Sequence, residues 1–193
     1  MRIVCLGDSN TWGYDSRSAF GDQYPSHIRW TGILKQHGYD VVNLGMNGMC
    51  IPVGAQLTWV KETIETEYPF DVLIIMLGSN DLLRNDAAET IGLHLQELLE
   101  KMKQIVTPER ILVIAPPYLH QGTWVDTELQ IQESKKLAQV YHKDAGMAGT
   151  MFLDASAWGI PVLYDGVHFT EEGHALFAEH VEAKLKEFAG DRL

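Results

Sequence analysis

Apolar residues fall along the chain in two kinds of pattern. Short unbroken runs rich in β-branched residues recur at Ile3 to Leu6, Val41 to Leu44, Val72 to Leu77, Ile111 to Ala115 and Met151 to Leu153. None alternates with polar residues, so each predicts a strand covered on both faces, as in a parallel sheet flanked by helices. Between the runs the spacing changes to the helical period. Val53, Leu57, Val60 and Ile64 share one helical face, as do Ile91, Leu95, Leu98, Leu99, Met102 and Ile105, and then Phe177, Val181, Leu185 and Phe188.

A further helix is predicted from about Ser26, burying Trp30, Ile33 and Leu34 and ending at Gly38, a residue suited to a left-handed helix end. The stretch from Asp126 to Asp144 is a weaker helix. Thr170 is the expected N-cap of the last one, with Glu171 and Glu172 opposing the positive end of its dipole. The order βαβαβαβαβα with right-handed crossovers predicts an α/β fold, a three-layer α/β/α sandwich. Its five-stranded parallel sheet takes the flavodoxin-like order 2-1-3-4-5.

The 193 residues suit one domain spanning 1–193. Hydrophobic residues make up 46% and charged residues 21%, which argues against disorder and coiled coil. The net charge of −11 disfavours phosphate backbones and anionic lipid surfaces, so neither nucleic acid nor membrane is an expected partner. The longest apolar run, Val72 to Leu77, is far short of the roughly 20 residues that span a bilayer. Met1-Arg2 leads into too brief an apolar stretch for a signal peptide, and Cys5 and Cys50 form no disulfide framework. A cytoplasmic location is therefore expected.

In such a sheet the loops after the strands gather on one rim, and ligands bind where the strand order reverses. Those loops read Gly7-Asp8-Ser9-Asn10, Gly45-Met46-Asn47-Gly48, Gly78-Ser79-Asn80-Asp81, Pro116-Pro117-Tyr118 and the stretch from Asp154 to Thr170. Ser9, at the end of the first strand, is a candidate nucleophile. It needs a base held by an acceptor, and Asp165 and His168, three residues apart before the last helix, supply both. The backbone N–H groups of Ser9 and Gly48 and the amide of Asn80 are candidate donors to an oxyanion. Asp8 and Asp81 read as structural acceptors.

Trp12, Tyr14, Phe20, Tyr118, Trp124 and Trp158 lie in rim loops, and Trp12, Tyr118, Trp124 and Trp158 are the candidates for lining a substrate pocket. The histidines other than His168 read as surface or satisfied residues. No His-Glu-x-x-His or cysteine cluster suggests a metal, and no cofactor is expected. A flavodoxin- or receiver-like phosphate-handling domain would use Asp8 and Asp81, yet it has no use for Asp165 with His168, and no Walker loop is present. A binding module with an inactive triad is the remaining alternative. The absence of Gly-x-Ser-x-Gly argues against the α/β-hydrolase scaffold.

Taken together, Gly7-Asp8-Ser9, Gly48, Gly78-Ser79-Asn80-Asp81 and Asp165-Gly166-Val167-His168 resemble the four ordered blocks of the SGNH hydrolases, the GDSL-type esterases and lipases. The resemblance covers essentially the whole chain. It implies the flavodoxin-like sandwich and metal-free hydrolysis of esters or thioesters, with Ser9, His168 and Asp165 as triad and Ser9, Gly48 and Asn80 as oxyanion hole. Gly7 to Tyr14, Arg29 to Gly32, Ile74 to Gly78 and Asp165 to Thr170 are most similar to the bacterial arylesterase and acyltransferase branch. That implies a small-molecule ester of short acyl chain as substrate, with acyl transfer to alcohols in some members. Acetylated carbohydrate, lysophospholipid and acyl thioester stay open as substrates. A homo-oligomer also stays open, because the loop from Thr11 to Tyr24 is shorter than in the oligomeric acyltransferases.

Overall fold

The strands β1 (Arg2–Gly7), β2 (Asp40–Gly45), β3 (Val72–Met76), β4 (Ile111–Ala115) and β5 (Met151–Asp154) are all parallel in a computed structural model that describes residues 1–190. They form one sheet in the order β2-β1-β3-β4-β5, the predicted 2-1-3-4-5. In register, Ile3 sits between Val41 and Val72, and Gly7 between Gly45 and Met76. The C-terminal ends of the three strands therefore finish level on one rim.

Side chains alternate between the two faces of each strand, and each face has its own core. Val4, Leu6, Leu73, Ile75, Ile111 and Val113 pack against α3 (Gly54–Thr66), α5 (Ala88–Met102) and α6 (Glu128–Ala148). Ile3, Cys5, Ile74, Met76, Leu112 and Ile114 pack against α2 (Trp30–Gln36) and α7 (Glu171–Gly190). Both faces are covered, which is why the strands read as continuous apolar runs. Each fully buried Leu, Ile, Val or Phe contributes about 1.5–3 kcal/mol, so the two cores hold the rim rigid. No helix among the described residues is long and apolar enough to cross a membrane.

Several element ends differ from the sequence reading. The helix expected from Ser26 begins at Trp30, because residues 26–28 form a turn on Pro25, whose carbonyl accepts from the Ile28 N–H at 2.9 Å. Ile33 in that helix is only partly buried. Val53 is 42% exposed, since it occupies the N-cap position of α3 outside the buried stripe. Ile105 lies beyond the end of α5 and packs on the core from a turn. The weak helix firms into α6, which a reciprocal capping box of Thr127 and Gln130 starts. Thr170 does cap α7, its hydroxyl accepting from the Gly173 N–H at 3.0 Å. Two short helices not foreseen, α1 (Ser9–Trp12) and α4 (Ser79–Leu83), follow β1 and β3. They are too short to show any helical period in sequence.

Candidate active site

The turn out of β1 is dictated by packing. Gly7 ends the strand, and a Cβ there would run into the Thr11 side chain, so only glycine lets the chain fold back this tightly. Asp8 follows in extended conformation and its carboxylate accepts from the Asn10 N–H at 3.0 Å, capping α1. Ser9 is thus the first residue of a helix, where the sequence placed it at a strand end. As an opening residue it has no intrahelical partner for its N–H, which leaves a donor beside its own hydroxyl. Gly13, at φ 95°, ends the helix after one turn.

The segment after β5 brings His168 to this turn. Asp165, Val167 and His168 lie in a tight loop in which the Leu163 N–H donates to the His168 carbonyl at 2.7 Å. One Asp165 oxygen accepts from the Val167 and His168 N–H groups at 2.8 and 2.9 Å. Its other oxygen lies 2.8 Å from His168 Nδ1, and His168 Nε2 lies 2.9 Å from Ser9 Oγ. Asp165 and His168 are fully buried, and Ser9 is 6% exposed. Burial pushes the Asp165 carboxyl up, but the hydrogen bonds from His168 and the two backbone N–H groups win and hold it well below the usual carboxylate range. An ionised Asp165 accepts the Nδ1–H, which leaves the Nε2 lone pair to accept from the Ser9 hydroxyl.

The donors named from sequence are set around the same rim. Gly48, at φ 73°, lies in the loop after β2, and among the described residues its N–H makes no hydrogen bond. Asn80, in α4, donates through its amide to the Met49 carbonyl at 3.0 Å, which orients the amide and leaves its second N–H. Asp81 accepts from the Ile51 N–H at 3.1 Å, so α4 grips the Gly48 loop on both sides of Cys50. Asp8 and Asp81 are structural acceptors, as read. Burial pushes Asp8 up to about 6, against its bonds from Asn10 and Ser79 and the charge of His168. Burial likewise raises Asp81, opposed by the Ile51 N–H.

Aromatic rings close over His168. The Trp124 ring stands edge-on at 4.7 Å and the Tyr14 ring is tilted at 4.7 Å, while Trp12 lies 6.5 Å from Tyr14. Trp124 arrives because the loop after β4 crosses the Asp165 loop backbone to backbone, the His120 and Trp124 N–H groups donating to Gly166 and Asp165 carbonyls at 3.0 and 3.2 Å. Side chains at Gly122 or Gly166 would collide with that crossing. Tyr14 is one of the rim aromatics, and nothing in its residue type distinguishes it from the others in sequence. Its position one turn beyond Ser9, in Trp12-Gly13-Tyr14, was the available signal.

One of the aromatic candidates goes elsewhere. Trp158 stacks on His180 at 4.3 Å and packs on Phe177 at 5.4 Å, so it anchors its loop to α7 and does not face Ser9. Tyr118 is half-buried in the loop after β4 and makes no ring contact among the described residues. Phe20 is almost wholly exposed. His174 also departs from its reading as a surface or satisfied residue. It is fully buried between Tyr24 and Phe169, its Nδ1 accepts from the Trp30 N–H at 3.4 Å, and its Nε2 has no partner. Burial, with the charge of Arg29, pushes it down to about 3 and keeps it neutral.

No group of three or more His, Cys, Asp or Glu side chains among the described residues is arranged to hold a metal ion. A serine hydroxyl bonded to a histidine, with N–H donors on the same rim of a doubly wound sheet, is an arrangement able to attack acyl groups. Residues 5–176 match the model of the GDSL-like lipase/acylhydrolase family, and the chain belongs to that family. The fold is also that of the M. smegmatis aryl esterase, with TM-score 0.78 and 27% identity over 94% of this chain and 98% of that one. Est24, a carbohydrate acetylesterase from Sinorhizobium meliloti, shares the fold with TM-score 0.82 and 23% identity over 96% and 98% of the two chains. No protein among those with curated descriptions matches the sequence.

Proposed function

We propose that the protein is a metal-independent serine esterase that cleaves small, uncharged acyl esters of short chain through an acyl-enzyme. The observation that carries this is the unbroken line of hydrogen bonds from Asp165 through His168 to Ser9, at 2.8 and 2.9 Å. In the first step the Ser9 Oγ bonds to the ester carbonyl carbon while its proton passes to His168 Nε2. The carbonyl oxygen becomes an oxyanion, which the N–H groups of Ser9 and Gly48 and the free amide N–H of Asn80 stabilise. Collapse breaks the bond to the leaving alcohol, which takes the proton from His168. Water, or an alcohol in its place, then attacks the acyl-Ser9 ester with His168 again as base, and collapse breaks the Oγ–acyl bond, releasing the acid or new ester while Ser9 Oγ recovers the proton from His168.

Trp12, Tyr14 and Trp124 form an apolar wall beside His168, which supports an acyl or aryl group there, and the net charge of −11 disfavours anionic substrates. The name of the M. smegmatis aryl esterase agrees with that reading. The two free thiols, Cys5 and Cys50, support work in a reducing compartment such as the cytoplasm. The test is hydrolysis of p-nitrophenyl esters from acetate to longer chains, with Ser9→Ala alongside and a chelator in a parallel set. The expected result is short-chain preference, no effect of chelator and loss of turnover in Ser9→Ala. Turnover that survives Ser9→Ala, or that the chelator abolishes, would overturn the assignment.

A further inference from the structure

The proton transfer proposed above joins two segments far apart in sequence, and the distance between them has to be held by something other than the reacting bond. Asp165 cannot do this, because its backbone bonds to Val167 and His168 brace the base segment internally. Asn10, next to the nucleophile, reaches across. Its Nδ2 donates to the Val167 carbonyl at 3.1 Å and its Oδ1 accepts from the Phe169 N–H at 3.0 Å. Val167 and Phe169 are the two neighbours of His168, so one amide grips the backbone on both sides of the base.

Asn10 is itself fixed from behind. Its backbone carbonyl accepts from the Trp30 indole N–H at 3.1 Å, and its N–H donates to the Asp8 carboxylate at 3.0 Å. Asn10 is 3% exposed, and the Trp30 ring is fully buried in the core. The Tyr24 hydroxyl also reaches this segment, donating to the Phe169 carbonyl at 3.3 Å, but it comes from the following loop and not from α1. An amide suits the task because it donates and accepts from one short planar group. An ionised aspartate could not donate to Val167, and leucine could do neither.

We propose that Asn10 is a positioning residue that sets the Ser9 to His168 distance by clamping the backbone of Val167 and Phe169 to the nucleophile turn. This rests on the serine esterase reading of the site. Asn10 touches neither substrate nor transferred proton, so its loss acts through His168 and should appear in the chemical steps and not in substrate binding.

The experiment compares wild type with Asn10→Leu, Asn10→Asp and Ser9→Ala. The measurements are kcat and KM on p-nitrophenyl acetate, the rate of Ser9 modification by a fluorophosphonate, and Tm. In Asn10→Leu, kcat and the modification rate should fall together by about 10- to 100-fold at unchanged KM, the scale of a reacting pair loosened by about 1 Å. Asn10→Asp keeps the bond from Phe169 and should fall between. Asn10→Leu with wild-type kcat and modification rate, or with its whole defect in KM, would overturn the clamp. If Asn10→Leu does not fold, Asn10→Asp decides, and wild-type rates in that variant overturn the clamp equally. The two readings separate on Ser9→Ala: turnover retained there strikes the esterase assignment, whereas an inactive Ser9→Ala beside fully active Asn10 variants strikes the clamp alone.

Discussion

Replacing Asp165 by Asn changes one oxygen to an amide nitrogen at constant shape, and the surrounding bonds decide which way the new side chain faces. With its oxygen on the Val167 and His168 N–H groups it keeps both backbone bonds, at 2.8 and 2.9 Å in the native protein. Its nitrogen then faces His168 Nδ1, now 2.8 Å from a carboxylate oxygen, and donates where an acceptor stood. Turned over, it would accept from Nδ1 but set an NH2 against two buried N–H donors, at a cost of about 1–3 kcal/mol for each unsatisfied group. The first orientation wins. It forces the imidazole proton onto Nε2, so His168 donates to Ser9 and cannot take its proton.

The same tautomer change in the template Ser-His-Asp protease lowers kcat by about 10⁴-fold, and a loss of about 10³- to 10⁴-fold is expected here. Steady-state kinetics on p-nitrophenyl acetate should show that loss in kcat at nearly constant KM, still smaller than the loss in His168→Ala. Thermal unfolding should show a folded variant, because both backbone bonds survive. A loss under about tenfold in a folded Asp165→Asn would refute the reasoning, since the His168 tautomer would then not depend on this carboxylate.

The other expectations follow the same geometry. Asn80→Ala removes the proposed oxyanion donor and the bond to Met49, and should lower kcat by about 10²- to 10³-fold with KM little changed; a purely KM effect would contradict the role. Asp8 carries a carboxyl pushed up to about 6 by burial, whereas an unfolded aspartate titrates near 4. The native state therefore binds more protons than the unfolded one between about pH 4 and pH 6, and stability falls as pH rises through that window. Above it the ionised, buried carboxylate costs on the order of 3 kcal/mol, at about 1.4 kcal/mol per pH unit. Asp8→Asn should accordingly raise Tm above about pH 6 and gain nothing below about pH 4, which thermal scans across that range would check. Trp158→Ala should lower Tm and leave kcat/KM unchanged, whereas Trp124→Ala, beside His168, should lower kcat/KM on aryl esters; parallel assays of the two variants separate a loop anchor from a pocket wall.

The fold was legible because the strands are covered on both faces, so runs such as Val72 to Met76 carry their burial in composition alone. The rim follows from strand order, and Ser9, Gly48, Asn80, Asp165 and His168 become candidates by asking which loops end on it. What stayed hidden depends on contacts between distant segments. α1 and α4 arise from a cap and from packing, not from period, so Ser9 was placed on a strand end. Trp158 and Trp124 are alike in sequence as loop tryptophans, and only the docking of the loop after β4 on Asp165 and Gly166 tells them apart. His174 lies one turn into α7, just after Glu171 and Glu172, and its burial comes from packing against Tyr24 and Phe169.

The central claim is that Ser9 carries the acyl group during turnover. Rapid acid quench of the protein with excess p-nitrophenyl acetate, followed by mass mapping of the peptides, tests it most directly. The account predicts one acetyl group on the peptide containing Ser9, no such adduct in Ser9→Ala, and a longer-lived adduct in Asp165→Asn relative to its slowed turnover. An acetyl group on another residue in the active wild type, or turnover with no adduct on Ser9 under conditions where deacylation limits the rate, would contradict it.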